Sequence, residues 1–133
     1  MKRLFIILII VLIFGCTKEN NEFQEQKFET KSTGSFEDGD VSIDITPTQI
    51  GEGKLEFSIL VNTHSVNLEP YNLKEITTLE INGKKIKPDS VPILGSHHSG
   101  GLLIFKTNEE IIGEYSLVIE GIPKMDKRIF IWN

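Results

Sequence analysis

Residues 77–87 read Thr-Thr-Leu-Glu-Ile-Asn-Gly-Lys-Lys-Ile-Lys, and this stretch decides the fold class. Asn-Gly between two alternating runs is the strongest short-range signal for a β-hairpin, because a type I′ turn needs positive φ at both central residues. Such a turn also fixes the register, with Leu79 opposite Ile86 and Glu80 opposite Lys85. An apolar pair then lies on one face and a pair of opposite charges on the other, so the stretch predicts two antiparallel strands.

The same alternation of apolar and polar residues recurs on both sides of the hairpin, which predicts further half-buried strands. These strands are expected at residues 41–46, 54–62, 102–106, 115–120 and 128–132. Residues 63–76 are less regular, and we interpret them as a crossing between two sheets. An additional strand at residues 66–68 is the alternative for that segment.

Composition supports a chain built from strands. Alanine is absent, and β-branched residues, Gly and Asn are frequent. Six or seven short strands with turns at this spacing predict an all-β fold, an antiparallel immunoglobulin-like β-sandwich of about seven strands. A small barrel is the alternative. The Cys…Trp…Cys pattern of true immunoglobulin domains is missing, so the prediction concerns the architecture only.

The N-terminus has the pattern of a secretory signal peptide. Lys2 and Arg3 precede an unbroken apolar run of eleven residues, 4–14. At about 1.5 Å per residue this run is roughly 16 Å long as a helix. That is about half of the ~30 Å hydrocarbon core of a bilayer, so residues 1–15 predict a signal peptide rather than a membrane span.

The run ends in Ile13-Phe14-Gly15-Cys16, which resembles the lipobox of prokaryotic lipoproteins. The resemblance implies that Cys16 is acylated and becomes the mature N-terminus, with a multi-chain anchor of the kind that stable membrane attachment requires. Cys16 is the only cysteine, so it cannot form an internal disulfide. The expected location is the cell envelope, with the domain outside the cytoplasm. The alternative is an ordinary signal peptide with an incidental cysteine.

Residues 16–40 are predicted to be a lipidated Cys followed by a flexible acidic tether, and residues 41–133 the β-sandwich domain. The tether is polar and acid-rich, and its reach is roughly 25 to 30 Å. The alternative is that Phe23 and Phe28 dock on a partner or on the domain. Removing residues 1–15 leaves 12 basic and 19 acidic side chains, net −7, which is the wrong sign for binding nucleic acid.

All three histidines fall in two predicted loops, with His64 in one and His97 and His98 in the other. Antiparallel parity places both loops at one end of the sandwich if residues 63–76 add no full strand. Neutral imidazole is the commonest metal ligand and suits Zn, Cu and Ni. The three residues therefore form a candidate Zn or Cu site, with a purely structural role for the histidines as the alternative.

Serines beside the histidines invite comparison with hydrolases. Ser65, Ser96 and Ser99 are the residues concerned, but the chain has no Gly-x-Ser-x-Gly elbow. A serine nucleophile also needs a His held by a third group and an oxyanion hole. We therefore predict that the protein is not an enzyme and that it needs no cofactor other than the candidate metal.

The segments 63–68, Thr-His-Ser-Val-Asn-Leu, and 97–105, His-His-Ser-Gly-Gly-Leu-Leu-Ile-Phe, resemble a group of uncharacterised exported prokaryotic domains. The closing Arg-Ile-Phe-Ile-Trp of residues 128–132 belongs to the same resemblance. It implies an exported β-domain and no assigned activity. The expected function is a lipid-anchored, non-enzymatic interaction module whose partners are membrane lipid, through Cys16, and an unknown envelope protein. A transition-metal binding surface protein is the alternative.

Overall fold

A computed structural model of the chain describes residues 28–133. The predicted signal peptide, Cys16 and the first part of the predicted tether lie outside these residues. The described part forms β1 (Lys31–Thr33), β2 (Ser42–Gly51), β3 (Lys54–Asn62), α1 (Leu73–Ile76), β4 (Thr77–Ile81), β5 (Lys84–Ile86), β6 (His98–Lys106), β7 (Tyr115–Glu120) and β8 (Lys127–Trp132). Within residues 28–133, no helix is long and apolar enough to cross a bilayer.

Two antiparallel sheets of four strands pack into a sandwich, in the orders β1-β2-β3-β6 and β5-β4-β7-β8. The predicted all-β architecture is confirmed, with one strand more than expected. The connectivity differs from that of an immunoglobulin domain. Here the second and third strands pair as a hairpin, whereas in an immunoglobulin domain the second strand lies beside the fifth. The predicted crossing between sheets is found between β3 and β4.

The hairpin that decides the fold class forms as predicted. Asn82 and Gly83 have φ values of 50° and 75°, the left-handed backbone that a type I′ turn requires. Leu79 faces Ile86 and Glu80 faces Lys85, and the Lys85 Nζ to Glu80 Oε1 distance is 3.3 Å. The turn is also tied to the segment before β7, because the Asn82 side chain accepts a hydrogen bond from the Ile112 N–H at 3.2 Å.

The core lies between the two sheets. It is made of the side chains at alternate strand positions, which point inward. Phe57 on β3 lies in contact with aromatic rings from both sheets. Its ring centroid is 5.8 Å from that of Phe105 in its own sheet, and 6.4 and 5.5 Å from those of Tyr115 and Trp132 in the other. A contiguous cluster of buried apolar side chains from both sheets surrounds it, which makes the sandwich one hydrophobic unit.

The predicted domain boundary lies at residue 41, whereas the structure places the preceding segment inside the fold. Residues 31–33, assigned to the tether from their polarity, form β1 and pair with residues 43–45 of β2. The Trp132 indole N–H donates to the Glu29 carbonyl at 2.8 Å. Pairing ends as β2 approaches Pro47, which has no N–H for a further ladder bond. A polar segment is ordered here because the rest of the chain supplies its partners.

Two further elements differ from the sequence prediction. β6 begins at His98 and not at residue 102, so His98 lies in a strand and not in a loop. Gly100 and Gly101 suggested a loop, but both lie in β6. At each of these positions a neighbouring side chain occupies the space that a larger residue's Cβ would need. A Cβ at Gly100 would lie 2.8 Å from Leu60 Cδ2, and one at Gly101 2.6 Å from Pro92 Cβ. The four-residue α1 was not predicted, since one turn is too short to show a helical period.

A buried ion pair joins the segment before β2 to the last strand. Arg128 on β8 is fully buried, and its Nη2 lies 3.3 Å from Asp40 Oδ1. The guanidinium also donates to the Pro123 carbonyl at 2.9 Å and to Thr33 Oγ1 at 3.3 Å. A buried charge is tolerated only when it is paired and hydrogen-bonded in this way.

The surroundings of Asp40 favour its ionised form. The backbone N–H of Val41, which donates to Oδ1 at 2.7 Å, has the largest effect and lowers the pKa of Asp40. Partial burial opposes that effect, and hydrogen bonds from Ser35 and Arg128 lower the pKa further. The net direction is downward from the ordinary value of an aspartate.

Replacing Asp40 by Asn tests the ion pair. Because the pKa of Asp40 is lowered in the folded state, its contribution to stability is present above the ordinary carboxyl pKa of about 3.9 and is lost as the pH falls through the folded value. We expect Asp40→Asn to lower the free energy of unfolding by about 3 kcal/mol at pH 7, since Arg128 loses its counter-charge. The difference from the wild type should shrink below about pH 4.

The measurement is urea unfolding of both proteins across that pH range. Asp38→Asn is the matched control, because it removes the same charge from an exposed position of the same loop. A wild-type minus Asp40→Asn difference that does not change with pH would contradict the assignment.

Candidate functional site

The candidate histidine residues lie at the end of the sandwich where β3 ends and β6 begins. Asn62, the last residue of β3, is paired with His98, the first residue of β6. The parity argument is therefore confirmed, because no strand intervenes between β3 and α1 in the described chain. His64 follows two residues after Asn62, and this region is called the histidine end below.

A threonine holds the two histidine segments together. Thr63 is fully buried, and its hydroxyl donates to the Asp40 carbonyl at 2.7 Å and accepts from the Val66 N–H at 3.2 Å. Its backbone N–H donates to the His97 carbonyl at 3.0 Å, and the Leu68 N–H donates to the Ser96 carbonyl at the same distance. The spacing of Thr63 and Leu68 thus lets both backbone N–H groups bond to the segment that contains His97.

Two of the three histidine rings come together. The ring centroids of His64 and His98 are 6.5 Å apart in an edge-to-face arrangement at 84°. The Phe36 ring is also close to His64, with centroids 5.8 Å apart. All three side chains are exposed, so the histidine end is a cluster of rings on the surface. His97 is also exposed and takes part through its backbone carbonyl.

A hydrogen bond joins Asn62 to His98. The His98 Nδ1 lies 3.0 Å from Asn62 Oδ1. This bond orients the imidazole ring, as an oxygen next to a metal-ligating histidine does.

Two histidine nitrogens that ligate one zinc ion lie no more than about 4.2 Å apart, because Zn–N bonds are about 2.1 Å long. The centroids of the His64 and His98 rings are 6.5 Å apart. Within residues 28–133, no group of three or more His, Cys, Asp or Glu side chains is arranged to hold a metal. His64 and His98 would therefore be joined by water or by groups from another molecule.

The serines next to the histidines hold loops in place. Ser65 Oγ accepts a hydrogen bond from the Gly39 N–H at 2.7 Å, and Ser99 Oγ accepts one from the Gly95 N–H at 2.5 Å. Each hydroxyl is thus engaged with backbone. Sequence reasoning missed two members of the histidine end, Asn62 and Phe36. The strand register would have identified Asn62, whereas Phe36 lay in a segment read as a tether.

The opposite end of the sandwich contains a groove of about 470 Å³. Phe28, Ile50 and Ile111 line it together with Tyr115 and Trp132, whose rings stack with centroids 5.5 Å apart. Burial raises the pKa of Tyr115 to about 12. Phe28 precedes β1 and lies at this end, called the groove end below.

Comparison with known proteins gives no relative: no family model matches the chain, and neither do any curated proteins or solved structures. The functional argument therefore depends on the residues themselves.

Proposed function

We propose that this chain is a lipid-anchored protein of the cell envelope, held through an acylated Cys16, whose β-sandwich acts as a non-enzymatic interaction module outside the cytoplasm. The observation that carries the proposal is the placement of two features at opposite ends of the sandwich. Phe28, which precedes β1, lies at the groove end, and the exposed ring cluster of Phe36, His64 and His98 lies at the histidine end.

The strand register gives the separation of the two ends. Leu55 of β3 is paired with Ile50 at the groove end. Asn62, the last residue of the same strand, lies at the histidine end. At about 3.4 Å per residue these positions are roughly 24 Å apart. Eleven residues separate Cys16 from Phe28, and a flexible tether of that length reaches roughly 17 to 20 Å. An acylated Cys16 would then hold the groove end near the lipid and direct the histidine end outward.

The histidine end has the character of a contact surface. Phe36 is 58% exposed, and aromatic side chains are enriched at protein interfaces. Leu60, two register positions along β3 from the Asn62 and His98 pair, is 51% exposed on the same outer face. The partner proposed for this surface is an envelope protein, because the net charge disfavours nucleic acid.

Replacing Cys16 by Ser tests the anchor. We expect the variant to incorporate no labelled palmitate in growing cells and to leave the membrane fraction, because no other thiol is present in the chain. The measurement is autoradiography of the immunoprecipitated protein, with the wild type as the positive control. A Cys16→Ser protein that still takes up labelled fatty acid would refute the anchor.

Site-specific photo-crosslinking in cells tests the contact surface. A photoreactive amino acid at Phe36 should give adducts of defined mass with an envelope protein, and the same residue at Ile112 should not. Ile112 is the matched control because it is 77% exposed but lies in the loop beside the groove end. Equal adducts from both positions, or adducts from Ile112 alone, would show that the histidine end is not the contact surface.

A second candidate function is binding of Zn or Cu at the histidine end. The contact that favours it is the Asn62 bond to His98, which orients that ring, and the His64 ring centroid lies 6.5 Å from that of His98. We expect His64→Ala with His98→Ala to abolish the heat of metal binding in calorimetric titration. His97→Ala, the matched control, should retain it. Affinity should fall below about pH 6, because a metal displaces the proton from imidazole.

The titration has a clear negative outcome. Equal heats from the wild type and the double variant would exclude His64 and His98 as ligands. Loss of binding in His97→Ala alone would exclude the arrangement of two rings described above.

A further inference from the structure

The described part of the sandwich has four sheet edges, and three of them are protected against pairing with another strand. β1 has three residues and contains Lys31. β5 also has three residues, of which Lys84 and Lys85 are exposed. Short edge strands with lysines are the usual protection against edge-to-edge association.

The edge of β6 is covered by the chain itself. Ser90 forms an antiparallel bridge with Ile104, with N–H to carbonyl distances of 3.3 and 2.9 Å. Asp89 extends this cover, because its backbone N–H donates to the Ile104 carbonyl and its carboxylate accepts from the Lys106 N–H at 2.7 Å. The backbone groups of Ile104 and the Lys106 N–H, in the C-terminal part of β6, are therefore occupied.

The β8 edge differs from the other three. β8 has six residues without Pro or Gly, and within residues 28–133 it forms a ladder with β7 alone. On its outer face Ile129 and Ile131 are 47% and 43% exposed, next to Val118 and Ser116 of β7. A strand of this length with exposed β-branched residues and one unpaired edge is a template for strand addition.

β1 lies near β8 but leaves its backbone edge unpaired. β1 belongs to the other sheet, and the two are joined by inward side chains. Arg128 reaches Thr33 Oγ1 and Trp132 reaches the Glu29 carbonyl. These contacts hold the inner side of β8 and take up none of its backbone hydrogen-bonding groups.

We propose that β8 pairs in antiparallel fashion with β8 of a second copy of this chain, so that the two β5-β4-β7-β8 sheets become one sheet of eight strands. Residues directly opposite each other in a strand pair share a face of the sheet. Arg128 and Phe130 therefore stay inside only in registers where each outward-facing residue lies opposite an outward-facing residue of the second copy. Pairing centred on Phe130 meets this condition. It places Ile129 opposite Ile131 of the second copy.

The charges are compatible with this register. Lys127 lies opposite Asn133 of the second copy, so no like charges face each other directly. The two pairs of isoleucines then form one continuous apolar stripe across the new seam. The contact is the same patch on both copies, so it closes at two and produces no open filament. The seam lies away from the histidine end, whereas Ile131, Trp132 and Asn133 also line the groove end, and the pairing does not depend on the function proposed above.

The test is sedimentation equilibrium of the full chain in density-matched detergent, from micromolar to millimolar concentration. We expect a reversible monomer–dimer equilibrium for the wild type. Ile131→Lys places an ammonium group diagonal to Lys127 of the second copy, and the dissociation constant should rise by roughly tenfold or more. Leu60→Lys is the matched control, with the same change at a similarly exposed outward position of the other sheet, and should leave the constant unchanged.

Amide hydrogen exchange provides a second measurement that needs no variant. Exchange of the β8 amides should slow in the wild type as the concentration rises through the dissociation constant, while exchange in β5 stays unchanged. A wild-type chain that is monomeric throughout, one that forms larger oligomers, or an equal effect of Leu60→Lys would overturn the proposal. Slower exchange in β5 and not in β8 would also overturn it.

Discussion

One buried positive charge, that of Arg128, holds the segment before β2 against the last strand. The guanidinium of Arg128 lies inside the sandwich, where it must be paired, and its partners come from Thr33, Asp40 and the Pro123 carbonyl. The segment before β2 has too few apolar residues to order itself by burial. It is ordered because β8 supplies a charge that this segment neutralises, and the ordered loop in turn brings Phe36 to His64.

Much of the fold could be predicted because its signals are local. The Asn82-Gly83 turn set a register that the structure confirms, and alternation identified β3 with its observed bounds. What escaped prediction depends on distant partners. β1 looks like a linker until Arg128 and Trp132 are placed beside it, and the start of β6 looks like a loop until Leu60 and Pro92 fill the space above its glycines.

The candidate site was predictable to a similar extent. Strand parity brought His64 and His98 to the same end, and the structure places their rings side by side. Parity says nothing about which side chains touch, so the separate role of His97 and the bond from Asn62 to His98 could not be derived from spacing. The motif around Thr63 gains a physical explanation, because its hydroxyl and backbone join three segments through hydrogen bonds.

The joining of β1 to β8 also determines the order in which the domain can be completed. Thr33 and Arg128 are 95 residues apart, and ribosomes deliver the N-terminal partner first. Until β8 has been synthesised, part of the apolar inner face of β2 and β3 is uncovered. Contacts between positions so far apart in the sequence also form slowly. The contacts that join β1 to β8 therefore form only after β8 has been synthesised.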